Sequence, residues 1–279
     1  MNLTQASADL FIPDAETDAR ALGRTTHLGI GAHQDDLEFM ALHGILQCFQ
    51  RKDCWFGGIT CTNGSGSPRT GPYTHFTDEA MQAVRSKEQR TAASIGDYSF
   101  IAQLGHPSQT AKHAKRRAAL VEDITQILRA TRPTVVYTHN PFDKHATHIG
   151  VLLATLAAIQ ALPDSQRPKE LIGCEVWRGL DWLPDSEKLI HDVSAHPNLA
   201  AALNGVYDSQ ISGGKRYDLA VEGRRRANAT FLDAHNSDEL TQVHYALDMS
   251  QLIHGDGSLE AYIRPIVEGF QHELFSALE

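Results

Sequence analysis

Two short stretches of this chain concentrate side chains that can hold a metal ion and move a proton. The first is His33-Gln34-Asp35-Asp36, an imidazole and two adjacent carboxylates directly after an apolar run. The second, His139 to Gly150, carries His139, Asp143, His145 and His148. Imidazole nitrogen and carboxylate oxygen are donors that zinc accepts, and a catalytic zinc typically has three protein ligands and leaves a position for water. His33 and Asp36 lie three apart across a tight turn and could reach one ion, with His148 as the third ligand. Two neutral imidazoles and one carboxylate leave the ion partly uncompensated, so a water beside it stays acidic, toward a pKa of about 7. Neighbouring side chains on a turn point in different directions. Asp36 can therefore hold the ion while Asp35 faces the water as general base. His145, three residues before His148, falls on the same side of a first helical turn, and as an imidazolium could stabilise an oxyanion or protonate a leaving amine. His139 reads as structural. Zinc and ferrous iron suit the same donors.

These stretches need elements to position them. THLGIGA (26–32), CWFGGITCT (54–62), YSFIAQL (98–104), TVVYTHN (134–140) and LIGCEVW (171–177) read as buried strands. Between them, 37–50, 78–96, 111–132 and 147–162 have helical spacing or helix-bounding residues, and Gly96 and Pro133 stop two of them. This alternation predicts an α/β fold, a mainly parallel sheet with helices on both faces. In such sheets ligands bind past the carboxyl ends of the strands. The two reactive stretches fall just past the first and fourth strands, so both can meet at one sheet edge. The Gly/Ser/Pro-rich segment 63–76 is a candidate wall or lid. No linker stands out. We read 1–279 as one unit, with an N-terminal extension (1–24) and a less regular part (178–279) containing helices near 196–209, 215–236 and 258–277 and one or two strands.

Of 279 residues, 42% are hydrophobic and 21% charged, which suits a soluble globular chain. The formal net charge of -9 disfavours nucleic acid or an anionic membrane as partner. Arg224, Arg225 and Arg226 read as a solvated helix face, and His106 as an ordinary residue. Cys48, Cys54, Cys61 and Cys174 form no C-x-x-C pair and read as buried free thiols of a reducing compartment rather than a disulfide framework or zinc cluster. The start of the chain lacks a basic-then-apolar layout, and no apolar run is long enough for a membrane span, so a cytoplasmic location is expected. Gly29-Ile30-Gly31 lacks the third glycine of a dinucleotide loop, and its neighbours Asp35 and Asp36 would repel a diphosphate. Neither a P-loop nor a complete G-x-S-x-G is present.

Ala32-His33-Gln34-Asp35-Asp36-Leu37-Glu38 after a strand resembles the A-H-P-D-D-E motif of the LmbE-like (PIG-L) metal-dependent N-deacetylases. Asp143-Lys144-His145-Ala146-Thr147-His148 is similar to that family's D-x-H-x-D-H. Arg85 to Glu88 stands where the family has an R-x-x-E helix, and Tyr207, Ser209 and Gln210 resemble a later A-L…S-Q segment. The resemblance implies a Rossmann-like fold and hydrolysis of the acetamide of an N-acetylglucosamine unit. It implies His33, Asp36 and His148 as metal ligands, Asp35 as base, His145 as electrostatic or acid partner and Arg85 as a sugar contact. It also implies a small-molecule amino-sugar or glycoconjugate substrate, and a homo-oligomer is compatible with it. Gln34, Leu37 and Thr147 depart from the family pattern, and Asp143 is expected to support a ligand in place of the acid missing at 147. Two other readings compete. A non-haem iron oxygenase uses the same ligand types but usually sits on an all-β barrel. A non-catalytic carbohydrate- or partner-binding protein would keep the fold without the reaction.

Overall fold

The computed structural model describes residues 1–255 and 257–279. Eight strands form one sheet: β1 (Asp9–Phe11), β2 (His27–Gly31), β3 (Phe56–Thr62), β4 (Phe100–His106), β5 (Val135–His139), β6 (Glu170–Cys174), β7 (Leu189–Asp192) and β8 (Val243–Asp248). Their order across the sheet is β1-β4-β3-β2-β5-β6-β8-β7. The five strands from β4 to β6 in that order run parallel, and β1, β8 and β7 pair antiparallel. The expected parallel core is therefore present, flanked by antiparallel strands on both sides.

The helices are α1 (Asp18–Gly23), α2 (Asp36–Met40), α3 (Leu42–Cys48), α4 (Asp78–Ile95), α5 (Ser108–Lys112), α6 (Ala118–Thr131), α7 (Ala146–Gln160), α8 (Pro197–Gly205), α9 (Asp208–Ile211), α10 (Tyr217–Thr230) and α11 (Leu259–Ser276). Side chains alternate along a strand, so each strand feeds two cores. On β5, Val136 joins the core made with α6 and α7, whereas Val135 and Tyr137 join the core made with α2, α3, α4 and α8. Each fully buried Leu or Ile in these cores contributes about 1.5–3 kcal/mol relative to exposure.

Five expectations differ in detail from the structure. The helix expected over 37–50 divides at Ala41 (φ -105°, ψ 21°), although helical hydrogen bonds still lead into and out of that residue. The helix expected over 111–132 begins only at Ala118, where Lys112, Lys115, Arg116 and Arg117 crowd four like charges into the six residues before it. The N-terminal extension contributes β1, which pairs with β4. The expected helix over 196–209 is two helices, α8 and α9, and the one over 215–236 ends at Thr230.

Two local packings carry consequences that can be measured. A Cβ on Gly150 of α7 would sit 2.2 Å from the Ala111 carbonyl oxygen at α5, and backbone cannot rotate aside. Gly150→Ala is expected to lower stability by about 2–3 kcal/mol in urea unfolding, an overpacking cost. On the opposite core, the His43 and His191 rings stack 3.9 Å apart, with Tyr137 Oη 3.1 Å from His43 Nδ1 and His244 paired across from His191 in the β7–β8 ladder. Burial pushes His43 down to about 4 and His191 to about 3, with His27 adding to the effect on His43 and Asp192 opposing it. The unfolded chain protonates these rings below its ordinary value of 6.5, while the folded chain keeps them neutral. The unfolded state thus binds more protons between about pH 4 and 6.5, and stability falls as the pH drops through that window, by up to about 1.4 kcal/mol per pH unit per ring. Urea midpoints from pH 4 to 7 should show this slope, shallower in His43→Gln.

Candidate metal-centred active site

The loop after β2 and the loop after β5 are neighbours because those two strands pair, Ile30 lying opposite Thr138. β2 has β3 on its other side and β5 leads to β6 away from it, so chain connections diverge here. A crevice forms at such a switch point. Past Gly31 the chain turns sharply. Asp35 adopts φ 100°, a conformation uncommon outside glycine, and Asp36 opens α2. The Asp36 carboxylate accepts the His33 backbone N–H at 2.7 Å, which locks the turn.

On the second loop, Asp143 organises three groups. Its Oδ1 accepts the His145 N–H at 2.9 Å; its Oδ2 accepts the Trp177 N–H at 3.1 Å and stands 3.1 Å from His148 Nδ1. A carboxylate can only accept, so His148 Nδ1 carries the hydrogen and its Nε2 presents a lone pair. That Nε2 lies 3.3 Å from His33 Nδ1 and 3.5 Å from Asp36 Oδ2, while His33 Nδ1 lies 3.1 Å from Asp36 Oδ2. Four-coordinate zinc with bonds of 2.0–2.2 Å needs ligand atoms roughly 3.3–3.6 Å apart. The three donors thus fit a cation. His145 also brings a ring nitrogen within 4.8 Å of His33 and His148.

His139 lies inside the same cluster but is committed elsewhere. Its Nε2 accepts the Ala32 N–H at 3.0 Å, and its ring stacks 3.9 Å from that of His148. It ties the end of β5 to the end of β2.

Asp35 is buried beside the triangle. Burial raises its carboxyl well above the ordinary value, Arg85 opposes the rise, and Asp36, Glu38 and Glu88 reinforce it. Burial also drives His145 down to about 4, helped by His148 and His33, so the ring rests neutral. Arg85 is buried on α4. It donates to Gln34 O at 2.5 Å and Ser67 Oγ at 2.7 Å, and stands 3.4 Å from Asp35 Oδ2. One turn on, the Glu88 carboxylate accepts the Ser209 N–H and hydroxyl at 2.7 and 2.6 Å. The R-x-x-E helix thus fastens the site's first loop and the later S-Q segment to one support.

A cavity of about 450 Å³ opens over Asp35, Asp36, His33 and His145. Gly64, Gly66, Ser67 and Pro68 line it, so the 63–76 segment supplies a wall. Other walls were not anticipated: Trp177, Tyr217, Lys112, Lys144 and Arg224. Trp177 could have been found, since it follows closely after the end of β6, where site residues are expected. The arginine run is not a solvated face. Arg224 lines the cavity and donates to Val176 O, and only Arg226 is exposed, paired with Glu222. Arg225 is 1% exposed and donates to the carbonyls of Glu38 and Phe39 near the end of α2. Glu38 itself is buried, held by Tyr98, Tyr207 and Gln89, and pushed up to about 7 by burial. His106, expected to be ordinary, is fully buried 2.8 Å from Asp123.

Sheet topology and site together define a Rossmann-like α/β protein with an imidazole–carboxylate triangle and an adjoining buried acid at its switch point. Residues 28–159 match the family model PIG-L, described as GlcNAc-PI de-N-acetylase. The match takes in both reactive loops and ends before β6. No curated protein matches the chain. Among solved structures, N,N'-diacetylchitobiose deacetylase from Pyrococcus horikoshii shares the fold with a TM-score of 0.65 at 14% identity, over 90% of this chain and 93% of that one. The conserved protein TT1542 from Thermus thermophilus gives 0.60 at 20% identity, over 81% and 94%. GalB, the 4-carboxy-2-hydroxymuconate hydratase of Pseudomonas putida, gives 0.58 at 14%, over 81% and 96%. Among the described residues, no helix is long and apolar enough to cross a membrane.

Proposed function

We propose that the chain is a metal-dependent N-deacetylase that hydrolyses the acetamide of an N-acetylated amino sugar or glycoconjugate. The observation that carries this reading is the triangle of His33 Nδ1, Asp36 Oδ2 and His148 Nε2 with Asp35 and His145 on its open side. These three residues would hold zinc or ferrous iron, which when bound supplies Lewis acidity toward the amide carbonyl and the attacking water.

The remaining chemistry belongs to the chain. Asp35, buried and raised in pKa, takes the proton of the water that attacks the carbonyl carbon. His145, neutral at rest, donates its ring N–H as a hydrogen bond to the oxygen on which charge develops, and the proton that Asp35 took from the water passes to the departing amine. Asp143 holds the orientation of His148, and Arg85 holds Asp35 through its contact and through Gln34 O. Trp177 and Tyr217 offer apolar faces to a sugar ring, while Lys112, Lys144 and Arg224 give the cavity a cationic side that favours an anionic aglycone. The buried Thr147 hydroxyl, without a hydrogen-bond partner among the described residues, is available to a substrate group in place of the family acid.

The hydratase above has the same fold, so the fold does not choose the reaction. The test measures metal content of purified protein and acetate release from N-acetylglucosamine glycosides with neutral and with anionic aglycones. Acetate release that disappears on chelation and returns with zinc or ferrous iron is expected. Protein carrying stoichiometric metal that releases no acetate from either series would overturn the reading.

A further inference from the structure

A second donor cluster lies at the opposite end of the same strands. Cys48 closes α3, Cys54 precedes β3, and His27 opens β2. Cys48 Sγ and Cys54 Sγ are 3.0 Å apart, Cys54 Sγ is 3.3 Å from His27 Nδ1, and all three donor atoms lie within 4.8 Å of one another. The approach is built into the chain. After α3 the backbone reverses through Gln50 in the left-handed region (φ 57°), with the Arg51 N–H bonded to Cys48 O at 3.0 Å. The Arg51 guanidinium is held by both carboxylate oxygens of Asp53, at 3.0 and 2.7 Å, which pins the turn and returns Cys54 to Cys48. Thr26 Oγ1 packs against both partners, 3.0 Å from His27 Nδ1 and 3.3 Å from Cys54 Sγ. The two sulfurs are buried, while the partly exposed His27 gives a route to solvent.

We propose that Cys48, Cys54 and His27 form a binding site for a thiophilic d10 cation, Zn2+ or Cu+, separate from the catalytic triangle. Two sulfurs and one imidazole nitrogen are the donors such ions select. Binding replaces the two thiol protons by the cation and releases them to solvent. Burial pushes the Cys48 thiol well above its ordinary value, so without a cation Cys48 rests as a thiol, not as a thiolate nucleophile. The competing fate of two close thiols is a disulfide, which needs an oxidant and excludes the cation.

Cd2+ is the probe, added to the reduced full-length protein, because a sulfur-to-cadmium charge-transfer band reports thiolate ligands and the catalytic triangle has none. The band should saturate at one equivalent beyond that taken up by the triangle. It should vanish in Cys54→Ser and in Cys48→Ser, and need at least tenfold more Cd2+ in His27→Ala. Acetate release by folded Cys54→Ser should match the wild type, which separates this site from the proposed deacetylase centre. Absence of the band in wild type overturns the proposal, as does its persistence in both cysteine variants. If neither cysteine variant folds, an unchanged Cd2+ requirement in His27→Ala overturns it. Protein purified without reductant that has lost two titratable thiols, restored by reduction, shows a disulfide pair and also overturns it.

Discussion

Asp35→Asn is expected to lower the rate of acetate release by about 10²–10⁴-fold, roughly 3–5 kcal/mol in the barrier, while leaving bound metal in place. The substitution keeps size and shape and removes only the capacity to accept a proton. The backbone tolerates it, because Asn, like Asp, is among the residues that enter positive φ most readily, and position 35 stands at φ 100°. Asp36, not Asp35, belongs to the donor triangle, so metal content should stay within the scatter of the wild type. Single-turnover acetate release, with metal measured on the same sample, separates the two effects. A variant that retains full activity would remove Asp35 from the role of base, and one that loses its metal would make it a ligand.

His148→Ala should have the reverse signature, with metal and activity lost together. Its Nε2 supplies one corner of the triangle, and the adjacent His139 Nε2 is already engaged by the Ala32 N–H. Asp143→Asn provides the graded comparison. An asparagine can still accept from His148 Nδ1 but no longer as an anion, and loss of such an outer partner typically costs 10–100-fold in metal affinity. The alanine should lose more than that. Competition against a chromophoric chelator measures both. Equal metal affinity in wild type and His148→Ala would break the triangle as a binding site.

The parallel core and the meeting of two distant loops were legible because they follow from local rules. An apolar run closed by turn residues is a strand, a helical stretch between two such runs makes them parallel, and His33 and His148 then face one crevice. What stayed hidden depends on partners far away in the chain. β1 is three residues long and exists by pairing with β4, so no pattern of its own announces it. Arg225 sits in a triplet of arginines, and only the packing of α10 against α2 decides that it is the buried one. Glu38 reads as a charged residue on a helix, yet two tyrosines and a glutamine from three other parts of the chain make it a buried junction. The cationic wall is equally non-local, since Lys112, Lys144 and Arg224 come from segments that the sequence shows only as scattered charge.

β2 is five residues long, with a sulfur–imidazole cluster at its first residue and the metal-type triangle starting two positions past its last. At about 3.3 Å per residue the two ends of the strand are roughly 13 Å apart. The strand is hydrogen-bonded on both sides, to β3 and β5, and so has no second register to slip into. With one register available, the strand holds the two clusters at a fixed separation.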